Sequence, residues 1–373
     1  MHDDAVVAPP YLAPPFRLAP FRGVRLSPTR VGDPASARAF ARPYHAVGRR
    51  LREWERRGQV ERDPAPAVHL HEYTAGGLTV RGLVGGLDLT RRTADAPDST
   101  VLPHEGIHVA QAAELAGRMR EMRLNPAPIL LVHRGGRAAA RVLEDLLRDE
   151  PDHEYDDRAG QHHRLWAVGD PEHLARLDEV LAGTRALIAD GHHRYAAYLD
   201  LQRLDPGTGW DRGLAMLVDQ DDTPLHLGAI HRVLAGIGVD EVARAAERLG
   251  GRATTAAWPE AVAQLGRQRL VVGDGSRWQV LDLPVPDGDL AVCAFHRLLD
   301  DLSPDRPDVG LHHTAQDVLD AVGRTGGTGV LLPAADLDTV LELSRQGRLL
   351  PEKATSFQPK PSVGVLMRSP ADG

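Results

Sequence analysis

The stretch "AVHLHEYTAGGLTVRGLVGGLDL", residues 67–89, constrains the fold of this chain more than any other. Apolar and polar residues alternate on both sides of Gly76-Gly77. A period of two sends alternate side chains to opposite faces of a strand, and paired glycines supply the positive φ of a tight turn. The stretch therefore predicts an antiparallel hairpin.

Helical and extended patterns are mixed along the rest of the chain. "VAQAAELAGRMREMRL", "RAAARVLEDLLRD" and "PEHLARLDEVLAG" read as helices, the last with Pro171 in its first turn and Gly183 past its end. Tyr44 to Arg57 reads as a charged helix that stops at Gly58. "FRGVRL", "APILLVH", "HHRLWAV", "RALIAD" and "GVLLP" read as strands. "GLAMLVD" and "LHLGAIHRVL" read as a strand pair around Asp219–Pro224, and "RLVVGDGSRWQVLDL" as a second hairpin. Further helices are expected near 239–249, 258–267, 288–300, 315–324 and 336–347. Hairpins among helices make the fold class α+β (mixed α/β). Pro9, Pro10, Pro14, Pro15 and Pro20 predict an extended arm over residues 1–20, or an arm packed to line a site. Pro and Gly cluster at Asp205–Gly213, which divides the chain into an N-terminal α+β domain, 1–208, and a C-terminal α/β domain, 209–373.

Charge narrows the partners. Lys plus Arg is 44 and Asp plus Glu is 52, a net charge of −8. Sequence-independent nucleic-acid binding rests on Lys/Arg contacts to phosphates, so nucleic acid is not an expected partner. Cys293 is the single cysteine, which excludes an intrachain disulfide and a four-cysteine zinc site. No apolar run reaches the roughly 18 residues of a membrane span, and the N-terminus lacks a basic region followed by an apolar one. A cytoplasmic location without membrane contact is expected.

The stretch with most chemistry is "ALIADGHHRYAAYLDL", Ala186 to Leu201. A branched apolar strand ends at Asp190, Gly191 gives the backbone freedom, and helical spacing begins near His193. His192, His193 and Arg194 then lie at a helix N-terminus, where amides without intrahelical partners and the positive dipole end favour anions. Arg194 adds a planar fork of donors suited to phosphate, and Asp190 suits Mg²⁺ or the orienting of a histidine. The competing reading makes Asp190 a helix cap and the histidines turn residues. Adjacent histidines point in different directions and are poor ligands for one metal.

"ADGHHRY" resembles the signature of a bacterial and archaeal family, domain of unknown function 1015. "FRGVRLSP", "PHE" at 103–105, "GQHHRLWAV", "LHLGAIHRVL" and "LPEKATSFQPKPSVGVLM" resemble further motifs of that family, in the same order over most of the chain. The family carries no settled activity. Its Asp-Gly-His-His-Arg motif is similar to one in the free-serine kinases of the ParB/sulfiredoxin-like fold. That likeness implies a ParB/sulfiredoxin-like N-terminal part, ADP or ATP with Mg²⁺, a motif loop at the phosphates, and a glutamate acting as base on a hydroxyl of a small metabolite such as free serine.

Carried onto this sequence, the likeness makes Glu105 the base and Asp190 the Mg²⁺ residue, with His192 or His193 stabilising the transferring group. Gly191, Arg194, His231, Arg232, Lys353 and Lys360 become phosphate contacts, His104 is a candidate substrate neighbour, and His163 reads as structural or substrate-proximal. After Glu105 the chain departs from the family: a threonine and a later arginine are replaced within "GIHVAQAAEL". Other residues carry weaker signals. His69 and His71 share a strand face and read as a surface or half-buried pair rather than metal ligands. His162-His163 and His312-His313 are further pairs, and Cys293 reads as core. The leading expectation is a nucleotide-dependent phosphotransferase. The alternatives are a ParB-like nucleotide-binding regulator without transfer activity and a zinc-dependent hydrolase, although no His-Glu-x-x-His spacing occurs.

Overall fold

The computed structural model describes residues 6–41, 47–302 and 308–371. Contacts divide the chain into two compact units, Met1–Leu225 with Pro359–Gly373, and His226–Gln358. The class is α+β.

In the first unit the hairpin of residues 67–89 forms. Val68–Ala75 pairs antiparallel with Leu78–Asp88, closing at Ala75 and Leu78 over Gly76 and Gly77, both with positive φ. The hairpin lies within an eleven-stranded sheet among the described residues. To one side lie His162–Val168 and His153–Asp156. To the other lie Arg212–Asp219, Ile129–His133 and Ala186–Asp190. Short edge strands Val101–Leu102, Tyr11–Leu12 and Arg92–Thr93 complete that side. The core on this sheet gathers Leu70, Leu87, Ile129, Leu131, Ile188 and Leu217, each at most 2 % exposed.

The strand pair expected around Asp219–Pro224 does not form. Arg212–Asp219 hydrogen-bonds Leu78–Asp88 on one edge and Ile129–His133 on the other. Both edges are filled, so nothing is left for "LHLGAIHRVL" to pair with. The uninterrupted burial of Gly213 to Asp219 is that of a central strand.

The proline-rich segment is extended and packed. It contributes the short strands Val6–Val7, Tyr11–Leu12 and Leu18–Ala19, and buries Leu12, Phe16 and Leu18 in the same core. The expected start of the charged helix at Tyr44 lies outside the described residues; its remainder is Val47–Arg56, and Gly58 follows with positive φ. Helix Val109–Met122 runs beside helix His192–Leu204. That second helix is buried almost all round through Tyr195, Ala196, Ala197, Tyr198, Leu199 and Leu201. The two tyrosine hydroxyls are satisfied, Tyr195 donating to the Pro10 carbonyl at 2.9 Å and Tyr198 to the Ala127 carbonyl at 3.0 Å.

Among the described residues the second unit has a six-stranded antiparallel sheet in the order Arg252–Ala256, Trp278–Asp282, Arg269–Gly273, Thr328–Leu331, His231–Leu234, Val309–His312. Its core joins Val233, Val271, Val280, Val318, Val322 and Leu331. The helix expected over 258–267 is confined to Trp258–Val262, because Gly266 turns back to bridge Arg269. His226–Gly228 pairs with Ser356–Gln358 in a separate ladder. Among the described residues no helix is long and apolar enough to cross a membrane.

Candidate functional site

The site begins where strand Ala186–Asp190 meets helix His192–Leu204. Gly191 between them has φ +97°, a conformation that costs a side-chain-bearing residue strain, and the Tyr195 amide donates to the Gly191 carbonyl at 2.8 Å to start the helix. The helix has no side-chain cap. Its N-cap position is Gly191, which has no side chain, and the Asp190 carboxylate just before it is met by side chains.

Those side chains are cationic. One Asp190 oxygen, Oδ2, receives a hydrogen bond from Arg194, one turn on, and Oδ1 receives one from the Lys360 ammonium, 170 residues away in sequence. Arg194 also folds back over Gly191: a Cβ at that position would stand 2.9 Å from the guanidinium Nε. Two cations on one carboxylate leave a surplus positive charge at a helix N-terminus, on groups only about a quarter to a half exposed. This is the electrostatic character of an anion seat.

Lys360 is carried by a tail segment tied down at several points. Tyr73 donates to the Pro359 carbonyl at 2.7 Å, and Gln161 donates from Nε2 to the Lys360 carbonyl at 2.9 Å. The Ser362 amide in turn donates to Gln161 Oε1 at 3.2 Å. Gln161 sits in a turn organised by Asp157 Oδ1, which accepts from the amides of Ala159 and Gln161. Asp157 Oδ2 is bound to His163, whose other nitrogen meets His71 at 3.1 Å.

His163 and His71 are thus buried members of the scaffold that carries Lys360. Burial lowers the pKa of both, most strongly for His71, where His163 adds to the effect. The reading of His69 and His71 as a surface or half-buried pair is corrected. Both are 2 % exposed, and His69 Nε2 lies 2.7 Å from Asp63, which also holds Arg25. Residues Val68 to Tyr73 are buried on both faces of the sheet, which alternation alone does not disclose. Their neighbour His162 is half-buried between Asp156 and Glu154, which raise its pKa.

The paired histidines of the motif take different partners, both on the loop around Glu105. His192 Nε2 accepts the amides of His104 and Glu105, each at 3.3 Å. His193 Nε2 accepts the amide of His108 at 3.0 Å, and the two rings are parallel with centroids 5.9 Å apart. An accepting Nε2 carries no proton. The His104 ring stands edge-on to His192 at 4.6 Å. Burial brings the His104 pKa down to about 4 despite a bond to the Ile188 carbonyl, so its 4.0 Å approach to Glu105 joins a neutral ring to a carboxylate near pH 7. Two motifs some 87 residues apart, "PHE" and "DGHHR", are one structural piece.

In the second unit, Arg232 is buried and donates to the main-chain carbonyls of Ile230 and Lys353, the latter at 2.9 Å. His231 accepts the Leu332 amide at 3.2 Å, and burial first, then Arg232, hold its pKa at about 4. The contact at Lys353 is made by its carbonyl, on a residue with φ +57°. Cys293 has its thiol pushed up to about 11 by burial and by Asp289.

Sequence reasoning missed Tyr73, Asp157, Gln161 and His108. The usable signal for Asp157 and Gln161 was the Asp-x-x-Gly turn before "QHHRLW". Nothing local marked Tyr73 or His108.

The family model described as "Protein of unknown function (DUF1015)" matches residues 18–284. No curated protein matches the chain. Among solved structures, a free serine kinase variant in complex with AMP is 15 % identical, with a TM-score of 0.44 over 77 % of this chain and 92 % of that one. A conserved hypothetical protein from Pyrococcus furiosus is 15 % identical, with a TM-score of 0.40 over 71 % and 92 %. SbnI with a C-terminal truncation, from Staphylococcus aureus, is 12 % identical, with a TM-score of 0.43 over 76 % and 87 %.

Proposed function

Since this chain belongs to the DUF1015 family, proteins of unknown function, we propose from its own site geometry that it is a nucleotide-dependent phosphotransferase acting on a small hydroxylated metabolite such as free serine. The observation that carries the reading is the Asp190 carboxylate shared by Arg194 and Lys360 at the Gly191 helix start. A polyphosphate offers these two cations more negative charge than one carboxylate does. On binding, Arg194 and Lys360 would move their bonds to phosphate oxygens, and Asp190 would be released.

The released carboxylate fits Mg²⁺ in charge and donor type. With its two cations in place it does not, so nucleotide and Mg²⁺ are expected to bind together. Mg²⁺ so bound would neutralise charge on the phosphates. Glu105 would take the proton of the acceptor hydroxyl, whose oxygen forms the new O–P bond as the bond to the nucleotide's bridging oxygen breaks. His192 and His193 would hold the Glu105 loop on the helix start. His231, Arg232 and Lys353 carry no step in this reading.

The test exploits a feature of the composition. Lys353 and Lys360 are the only lysines in the chain. Amine-selective acetylation with peptide mapping therefore reads Lys360 directly, with Lys353 as internal control. ADP or ATP with Mg²⁺ should protect Lys360 and leave Lys353 reactive. Arg194→Ala should lose at least tenfold in nucleotide affinity, about 1.4 kcal/mol. Absence of protection, or undiminished binding in the variant, would sink the reading.

A second reading, nucleotide binding without transfer, draws on the departures in "GIHVAQAAEL" after Glu105. Protection of Lys360 with no phosphorylated product across a panel of hydroxylated metabolites would favour it. The zinc-hydrolase reading finds no support: among the described residues no three His, Cys, Asp or Glu side chains converge as a metal shell.

A further inference from the structure

Beside the Asp190–Lys360 cluster the first unit has a cavity of about 180 Å³. Its walls include Phe40, Leu115, Met119, Met122 and Val363, and Arg194 closes one side. Two observations tie it to the anion seat. Arg194 belongs to both, lining the cavity while its guanidinium binds Asp190. Val363 stands three residues after Lys360 on the same anchored tail segment.

We infer that this cavity receives the base of the nucleotide, an inference that rests on the phosphate reading of the seat and adds to it where the rest of the ligand goes. The walls suit a flat heteroaromatic ring. Methionine sulfur packs well on aromatic faces, Phe40 offers a ring edge or face, and a guanidinium stacks on a π-system while its N–H groups bind phosphate in the ring plane. The volume is below the roughly 300 Å³ of sites that enclose a drug-sized ligand, which suits one ring system rather than a whole nucleotide.

The chemistry of the walls also fixes how selective the site is. Arg118 and Arg194 supply the polar side chains of the lining, and both are donors only. The base is held by packing and stacking, without the donor-and-acceptor pair that would read an adenine edge. Sites built on such edge contacts reject the wrong partner by 10⁴ or more, whereas packing discriminates by about 10- to 200-fold. ADP is therefore preferred over GDP by less than about 200-fold.

The experiment compares ADP with inorganic pyrophosphate by calorimetry, each with Mg²⁺, in the wild type, Leu115→Trp and Met122→Trp. Leu115 and Met122 are partly exposed, so an indole there fills the cavity while leaving the core beneath intact. ADP should bind the wild type at least about tenfold more tightly than pyrophosphate, and either tryptophan should erase that advantage while pyrophosphate affinity stays within about twofold. Retained pyrophosphate affinity also certifies that the variant is folded. If the wild type binds ADP and pyrophosphate equally, or the tryptophans leave the ADP advantage untouched, the cavity assignment is overturned while the phosphate seat stands. If the wild type binds neither, both fall. A preference between ADP and GDP above about 200-fold overturns recognition by packing.

Discussion

At the scale of single residues, the site is organised by competition for one carboxylate. Asp190 binds both Arg194 and Lys360, and in the proposed phosphotransferase it would compete with phosphate for both. Asp190→Asn removes that competitor. Pyrophosphate binding without Mg²⁺ should then strengthen several-fold, while Mg²⁺-dependent transfer falls; weaker binding in both conditions would show that Asp190 orients the cations rather than restraining them. His192 makes a second residue-scale prediction. Its Nε2 accepts two main-chain amides from the Glu105 loop. Leaving buried donors without that acceptor costs about 1–3 kcal/mol, so His192→Ala should lower unfolding stability by that amount in urea titrations. His192→Gln, which keeps an acceptor, should recover part of it.

Elements meet through glycines at two points. Gly191 joins strand to helix with φ +97°. A Cβ there meets the flexible end of Arg194, which can move, so the cost is chiefly backbone strain of about 1–3 kcal/mol, and Arg194 is displaced from Asp190 as well. Gly191→Ala should therefore lose both melting temperature and nucleotide affinity. Gly213 lies in the central strand beneath the motif helix, where a Cβ would stand 2.4 Å from the Tyr198 ring. That ring is buried and its hydroxyl is bonded to Ala127, so it has no free path. Gly213→Ala should lower the melting temperature without a selective effect on affinity. Opposite behaviour of the two variants would break the distinction between a hinge of the site and a packing contact.

For the whole molecule, the buried histidines set an acid limit on stability. The folded chain holds His104 down at about 4 and lowers His71 and His163 as well, in each case first through burial. In the unfolded chain these groups titrate near 6.5. Between those values the unfolded state binds more protons, so stability rises with pH and is lost as pH falls from about 6.5 toward 4. Asp63 acts in a lower window. Burial pushes its pKa up, but His69 and Arg25 outweigh that and hold it at about 2, so its contribution is complete above the ordinary carboxylate value and lost only below it. Melting temperature should thus fall between pH 7 and pH 5, before carboxylates of this kind protonate. A flat profile over that range would contradict the neutral assignment of the three histidines.

What the sequence determined by itself was local. The hairpin at residues 67–89, the strand–glycine–helix junction at 186–204 and the helix punctuation by Pro171 and Gly58 follow from side-chain period and from the φ each residue tolerates, which are properties of short contiguous segments. The ordered motifs also marked Asp190, Arg194 and Lys360 as members of one set. Their partners were another matter. Arg212–Asp219 looked like half of a hairpin and became a central strand because two other strands had filled its edges. His71 and His163, 92 residues apart, meet only inside the sheet, and Lys360 reaches Asp190 across 170 residues. Which distant group a polar side chain finds depends on how the backbone closes in space, and no period or propensity along the chain encodes that distance. The tertiary structure alone decided that the double histidine holds a loop, and that the chain's last lysine stands against its central aspartate.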